Sequence, residues 1–289
     1  MDTILATLLF TEKSDAENLL VKRNPFSHKG NFGHALIVAG SKEKMGAALL
    51  CTHASLRSGT GLVTALVPPD ERSVLQIALP EAMLFEEGGR INASSDLSKY
   101  TAIGIGPGLG TSDESAQSLK LLIQNYRSPI VFDADALNIL VENKTWLSFL
   151  NNGAIFTPHL KEFEHLTEKA QNDFHRLQLA KDFAAKYNSH LVLKGKYSCI
   201  VCPDGNFYFN STGNPGMAKG GSGDVLTGIL TSLLAQGYSA KEACILGVYI
   251  HGKAGDIAAS FFSETAMIAG DIITSLPEAF KELSRKNTK

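Results

Sequence analysis

A chain of 289 residues, 44% hydrophobic and 19% charged, has room for one large α/β domain or two smaller ones and an ordinary soluble-type balance. A formal net charge of −2 gives no electrostatic reason to expect nucleic acid or an anionic membrane as partner, and the basic tail, residues 281–289, reads as a solvated end. Four scattered cysteines are too few for a disulfide framework and suggest a reducing compartment.

Residues 1–10 carry an apolar stretch, but an acidic start and the lack of a small-residue cleavage pattern argue against a signal peptide. No apolar run approaches membrane-spanning length, so a cytoplasmic protein is expected. Strands are predicted at residues 35–39, 62–67, 100–105, 130–133, 154–157 and 191–194. Helices are predicted at 45–57, 114–126 and 172–187, with two more after Ser222. Short apolar strands alternating with helices indicate a mostly parallel sheet covered on both faces. No repeat, linker or charge block marks a boundary, so a single domain is expected.

Several predicted strands run into glycine or polar residues, and ligands of open α/β sheets bind beyond the carboxyl ends of strands. Gly40-Ser41, Gly106-Pro107-Gly108-Leu109-Gly110, Asp133-Ala134-Asp135, Pro158-His159 and Gly195 should therefore share one rim. The glycines at 104–110 never give the dinucleotide fingerprint, and nothing matches a P-loop. They permit close approach of a ligand or form a plain turn. Asp133 and Asp135 fit either metal and phosphate-metal ligation or capping of the helix that follows. His159 ends a strand, which puts an imidazole on the rim.

Residues 197–202, then Asp204-Gly205, then 206–209 read as a β-hairpin. Positions three apart in a strand face opposite sides, so Cys199 and Cys202 should not converge. His251-Gly252 lies inside a predicted helix at 243–259, where the glycine hints at close packing.

The most informative segment is Asn214-Pro215-Gly216-Met217-Ala218-Lys219-Gly220-Gly221-Ser222-Gly223-Asp224. Three glycines in four positions let successive backbone N–H groups turn toward one point. Leu226, Ile229, Leu230, Leu233 and Leu234 then repeat with helical spacing, so a helix N-terminus points unpaired donors back at the loop. Ser and Asp are also ordinary cap residues, but a cap needs one such residue and no glycine pair. Asp224 is expected to be held ionised by the helix dipole, an effect of roughly 0.3–1 kcal/mol. An ionised carboxylate beside a phosphate cradle suits proton removal from a hydroxyl attacking a phosphoryl group. Gly221→Val is expected to damage nucleotide-dependent activity while leaving thermal stability nearly unchanged.

Lys29-Gly30-x-x-Gly33-His34, Gly46-Ala47-Ala48, Arg57-Ser58-Gly59-x-Gly61-Leu62, Pro80-Glu81, the rim motifs above, Asp133 to Asn138, Leu193-Lys194-Gly195, the loop to Asp224 and His251-Gly252-x-Ala254-Gly255-Asp256 occur in order. In these motifs the chain closely resembles the ADP- or ATP-dependent NAD(P)H-hydrate dehydratases of the ribokinase-like superfamily, over residues 24–280. The resemblance implies an α/β fold, a ribokinase-like three-layer α/β/α sandwich with a mostly parallel central sheet, forming a single domain over 1–289 with residues 1–23 as an N-terminal extension. It implies repair of the S forms of NADHX and NADPHX through a phosphorylated intermediate, with Mg2+ and ADP or ATP, in a cytoplasmic homotetramer. Asp224 would be the catalytic base. Ala47, Gly108, His159 and Asp224 would contact the hydrate, and Lys194, Gly195, Lys196, Tyr197, Ser198, Gly220, Gly221, Ser222 and Gly223 the nucleotide. Metal ligands are not implied. Relatives often have Pro-Gly where this chain has Leu160-Lys161, and many carry a fused epimerase domain for which residues 1–23 are too short. A ribokinase-like kinase of a small alcohol shares the same loop and is the alternative.

Overall fold

Alternation along the strands divides the interior into two cores. On β2 (His34–Val38) Leu36 and Val38 enter one core while Ala35 and Ile37 face the other side. On β5 (Ala102–Ile105) Ile103 and Ile105 oppose Ala102, and on β8 (His190–Leu193) Leu191 and Leu193 oppose Val192. Side chains of a strand leave alternately on its two faces, so strands apolar at every position need cover on both. The computed structural model, which describes residues 7–86 and 89–284, provides that cover.

The remaining strands are β1 (Leu8–Thr11), β3 (Leu62–Leu66), β4 (Met83–Leu84), β6 (Ile130–Phe132), β7 (Ile155–Phe156), β9 (Cys199–Val201) and β10 (Phe207–Asn210). They form one sheet in the order β1-β10-β9-β8-β7-β6-β5-β2-β3-β4. All neighbours are parallel except β9, which runs antiparallel to both β8 and β10. One face is covered by α4 (Asp113–Asn125), α5 (Asp135–Glu142), α6 (Leu160–Leu166) and α7 (Asp173–Lys186). The other carries α1 (Lys13–Leu19), α2 (Met45–Arg57), α3 (Arg72–Ala78), α8 (Ser222–Ala235), α9 (Ala240–Ala266) and α10 (Ala269–Ser284). The result is a three-layer α/β/α sandwich with a mostly parallel central sheet.

The six predicted strands and three bounded helices are present with ends shifted by at most two residues, and α2 matches the predicted 45–57. Three helices, not two, follow Ser222: α9 kinks at Ser263, whose φ is +67°, and ends at its C-cap Met267 before α10 begins at Ala269. The predicted hairpin forms β9 and β10, and Cys199 and Cys202 lie in opposite cores. The predicted tail begins within α10, and 285–289, like 1–6, lie outside the described residues.

Helix α8 sets the position of the rim loop. Every residue from Val225 to Ala235 is buried, and its six large aliphatic side chains contribute about 1.5–3 kcal/mol each. Two glycines let it sink that far. A Cβ on Gly104 would lie 2.3 Å from Thr231 Oγ1, and one on Gly228 would lie 2.1 Å from the Cys51 carbonyl oxygen. Wedged between α2 and the sheet, α8 has its N-terminus held at the carboxyl ends of β5 and β6.

Candidate active site

The turn into α8 is made at Gly221, whose φ of +92° lies in the left-handed region that favours glycine. Gly220 has open space where a Cβ would be. The Cβ position of Gly223 faces Lys194 Nζ at 3.4 Å and Asp133 Oδ2 at 3.8 Å, so this glycine looks across the rim at a charged pair. Gly221 itself is packed from behind: its Cβ would meet Leu50 Cδ1 at 2.5 Å and Ala269 Cβ at 2.9 Å. Valine at 221 therefore strains backbone and packing together, and the expectation that it spares thermal stability is corrected.

Asp133, at the end of β6, is buried and accepts from Lys194 Nζ at 2.7 Å and from Thr227 Oγ1 at 2.8 Å. Thr227 stands one turn after Asp224 on α8, so the same helix supplies Asp224 and a donor to the neighbouring acid. Burial works against the Lys194 ammonium, yet Asp133, Glu162 and Asp224 more than offset it and hold its pKa above the ordinary value. Lys194 Nζ also lies 3.9 Å from Glu162 Oε2.

Asp224 is raised from 3.8 to about 6, chiefly by burial and then by the Asp133 charge, with Lys194 pulling the other way. This corrects the expectation that the helix dipole holds it ionised. The dipole is worth under about 1 kcal/mol, whereas a displacement of about two pH units corresponds to about 3 kcal/mol. A carboxylate titrating near 6 is still a base at neutral pH, and a better proton acceptor than an ordinary aspartate.

The opposite wall comes from the β2 and β5 loops. Gly106, Gly108 and Gly110 all have positive φ. A Cβ on Gly106 would fall 1.8 Å from the Asp133 carbonyl oxygen, and one on Gly108 3.0 Å from Ala47 Cβ, so Ala47 and Gly108 share one corner. Asp135 Oδ2 accepts from Gly110 N–H at 2.8 Å and sits 3.6 Å from Lys44 Nζ. Its role here is to brace the glycine loop.

His159 is the N-cap of α6. Its Nδ1 accepts from Glu162 N–H at 3.2 Å, and Glu162 Oε2 accepts from His159 N–H at 2.8 Å, so the turn forms with Leu160-Lys161 in place of Pro-Gly. Residues 159 and 194 pair as a parallel bridge, which joins the predicted hydrate and nucleotide sides of the rim. Beyond it Gly195, Lys196 and Tyr197 are exposed, and Ser198 Oγ donates to the Gly195 carbonyl at 3.3 Å. The predicted residues thus line one continuous rim. Thr227 and Lys44 were not singled out from sequence; Thr227 lies three residues after Asp224 and was open to a helical-face argument.

His251 belongs to the packing under this site. Burial is the main cause that lowers its pKa to about 4, and its Nε2 is buried without a partner. A Cβ on Gly252 would lie 2.3 Å from Thr212 Oγ1, which is the close packing its sequence suggested. Among the described residues no three His, Cys, Asp or Glu side chains are grouped to hold a metal.

Residues 35–278 match the family described as NAD(P)H-hydrate dehydratase. The chain belongs to that family. It is 34% identical over 265 residues to the ADP-dependent (S)-NAD(P)H-hydrate dehydratase of Bacillus subtilis, covering 91% of this chain and 94% of that one. It is 37% identical over 279 residues to the bifunctional NAD(P)H-hydrate repair enzyme of Moorella thermoacetica, covering 92% of this chain and 53% of that one. The chain thus spans about half the length of the bifunctional relatives it matches. Among solved structures, the Bacillus subtilis ADP/ATP-dependent NAD(P)H-hydrate dehydratase co-crystallised with ATP/Mg2+ superposes with a TM-score of 0.85 at 31% identity, covering 97% of this chain and 100% of that one. A hydroxyethylthiazole kinase from Pyrococcus horikoshii, TM-score 0.60 at 11% identity, shares the fold alone, covering 95% of this chain and 92% of that one. The matched residues 35–278 include the Gly-Gly-Ser-Gly-Asp loop, Lys194 and His159.

Proposed function

We propose that this chain dehydrates the S forms of NADHX and NADPHX at the expense of ADP or ATP, acting as a single ribokinase-like domain. The observation that carries the reading is Asp224, a half-buried carboxylate raised to about 6 at the N-terminus of α8, directly after a glycine cradle and across from Lys194. Ala47, Gly108 and His159 are assigned to the hydrate, and Lys194 to Ser198 with Gly220 to Gly223 to the nucleotide.

The chemistry follows from leaving-group ability. Hydroxide leaves C6 of the hydrated ring poorly, whereas phosphate leaves well. Asp224 accepts the C6 hydroxyl proton as that oxygen bonds to the terminal phosphorus of the nucleotide, and the phosphorus–oxygen bond to AMP, for ADP, breaks. The ring nitrogen lone pair then expels inorganic phosphate from C6, and loss of a C5 proton restores the dihydropyridine. Backbone N–H groups of Gly220 to Gly223 and the Lys194 ammonium stabilise charge on the transferring group.

The rim carboxylates fit a nucleotide-borne Mg2+, an ion that keeps several waters and binds through one or two carboxylates plus substrate phosphates. Bound there, the ion would neutralise phosphate charge. We further assign the protein to the cytoplasm as a homotetramer; among the described residues no helix is long and apolar enough to cross a membrane.

The test is recovery of NADH from synthetic hydrate with ADP and with ATP supplied separately, ADP being the expected preference. Each NADH regained should appear with one phosphate and one AMP from ADP. A stable phosphate ester without recovered NADH would overturn the dehydratase reading in favour of a kinase of a small alcohol.

A further inference from the structure

Lys219 opens the run Lys-Gly-Gly-Ser-Gly-Asp, where a cation beside a phosphate cradle invites the role of phosphate ligand. Its Nζ donates instead to the carbonyl oxygens of Thr265 and Met267, each at 2.6 Å. These carbonyls belong to the short turn that follows the kink at Ser263, in which Ala266 is the last residue of α9 and Met267 the C-cap. Carbonyls that close a helical turn have no donor within it, so a lysine ammonium there satisfies them.

The same helix clasps the other end of the loop. Asp256 on α9 accepts from Gly213 N–H and from Asn214 Nδ2–H, each at 3.0 Å, and Asn214 Oδ1 accepts from Gly216 N–H at 3.0 Å. Between the two clasps glycines allow close contact: a Cβ on Gly216 would lie 2.6 Å from Met267 Sδ, and one on Gly255 2.2 Å from Met217 Sδ. Residues 213–219 therefore lie along α9 and its C-terminus, and the cradle amides of Gly220 to Gly223 follow at once.

We propose that Lys219 is a positioning residue that ties the loop to the turn closing α9 after the Ser263 kink and, together with Asp256, holds the phosphate loop in its binding shape before nucleotide arrives. The inference rests on the reading of this loop as the nucleotide cradle. Its consequence lies in the nucleotide-free protein, because a lysine that bound phosphate directly would leave the empty loop indifferent to its removal.

Amide hydrogen exchange of the nucleotide-free protein separates the roles. Lys219→Met should speed exchange at residues 220–223 about ten- to hundredfold, as the loss of charge-assisted bonds to two carbonyls implies, while amides of β5 and β6 stay protected. Lys219→Arg should restore slow exchange, and Asp256→Asn should speed it from the other clasp. In turnover, Lys219→Met should raise the nucleotide KM about tenfold with the hydrate KM within about twofold. Unchanged exchange in both Lys219→Met and Asp256→Asn overturns the proposal. Fast exchange in these variants, with a wild-type protein that recovers no NADH from hydrate, overturns the dehydratase reading and leaves the clasp standing.

Discussion

Replacing Asp224 by asparagine should make the protein more stable and nearly inactive. In the native state the carboxyl titrates near 6, against an ordinary 3.8, so between these values the folded chain binds a proton that the unfolded chain has released. Stability from this group is therefore present at low pH and lost as pH rises through the window. At about 1.36 kcal/mol per pH unit the ionised side chain costs about 3 kcal/mol at pH 7 and only about 1 kcal/mol at pH 4.5. Asparagine keeps the shape and stays neutral, so urea unfolding should show Asp224→Asn stabilised by up to about 3 kcal/mol at pH 7, shrinking toward about 1 kcal/mol at pH 4.5. The hydrate assay should show a loss of roughly 100- to 10,000-fold. Wild-type kcat/KM should fall about tenfold per pH unit below 6. A variant no more stable than wild type at pH 7, or one stabilised equally at both pH values, would refute the burial argument. Retention of more than half the activity would remove Asp224 from the role of base.

Gly223→Ala adds a methyl 3.4 Å from Lys194 Nζ at a position without positive φ, so melting should shift by no more than about 2 °C while the nucleotide KM rises about tenfold. Lys194→Met leaves buried Asp133 with Thr227 as its remaining donor and should cost about 3–5 kcal/mol in urea unfolding. His190 and His251 are both lowered from 6.5 to about 4, mainly by burial. Their unfolded forms bind protons first, so their contribution is complete above pH 6.5 and is lost as pH falls toward 4, about 3 kcal/mol each. His190→Asn, far from the rim, should flatten that acid slope in urea midpoints taken at several pH values; an unaltered slope would refute the assignment.

The parallel strands were legible because burial on both faces makes each a short continuous apolar run, and the rim was legible because those runs end in glycine, Asp and His. Helices α5 and α6 were not, since eight and seven residues offer barely two turns of apolar spacing. Strand β1 was missed because an edge strand with Leu8 and Phe10 more than half exposed has the composition of a tail. The direction of Lys219 carries no sequence signal, as its acceptors are backbone carbonyls 46 and 48 residues away. The same limit applies to Asp224. Its helix position was readable, but the burial that raises its pKa comes from elements joined only in the folded chain.

The central place of α8 bears on how the protein is made. Strands β2, β3 and β5 and helix α2 emerge early from a ribosome, yet the face they present through Ala35, Cys51, Ala102 and Gly104 is filled by a helix that begins at Ser222. From Ile105 to Ser222 is 117 residues, and synthesis at 5–20 residues per second takes roughly 6–23 s to deliver them. Throughout that interval the nascent N-terminal half carries an open apolar groove, a surface of the kind chaperones shield. The element that closes it is the one that begins with the glycine loop and Asp224, so the rim proposed as catalytic comes into being in the same event that ends the chain's exposure to aggregation.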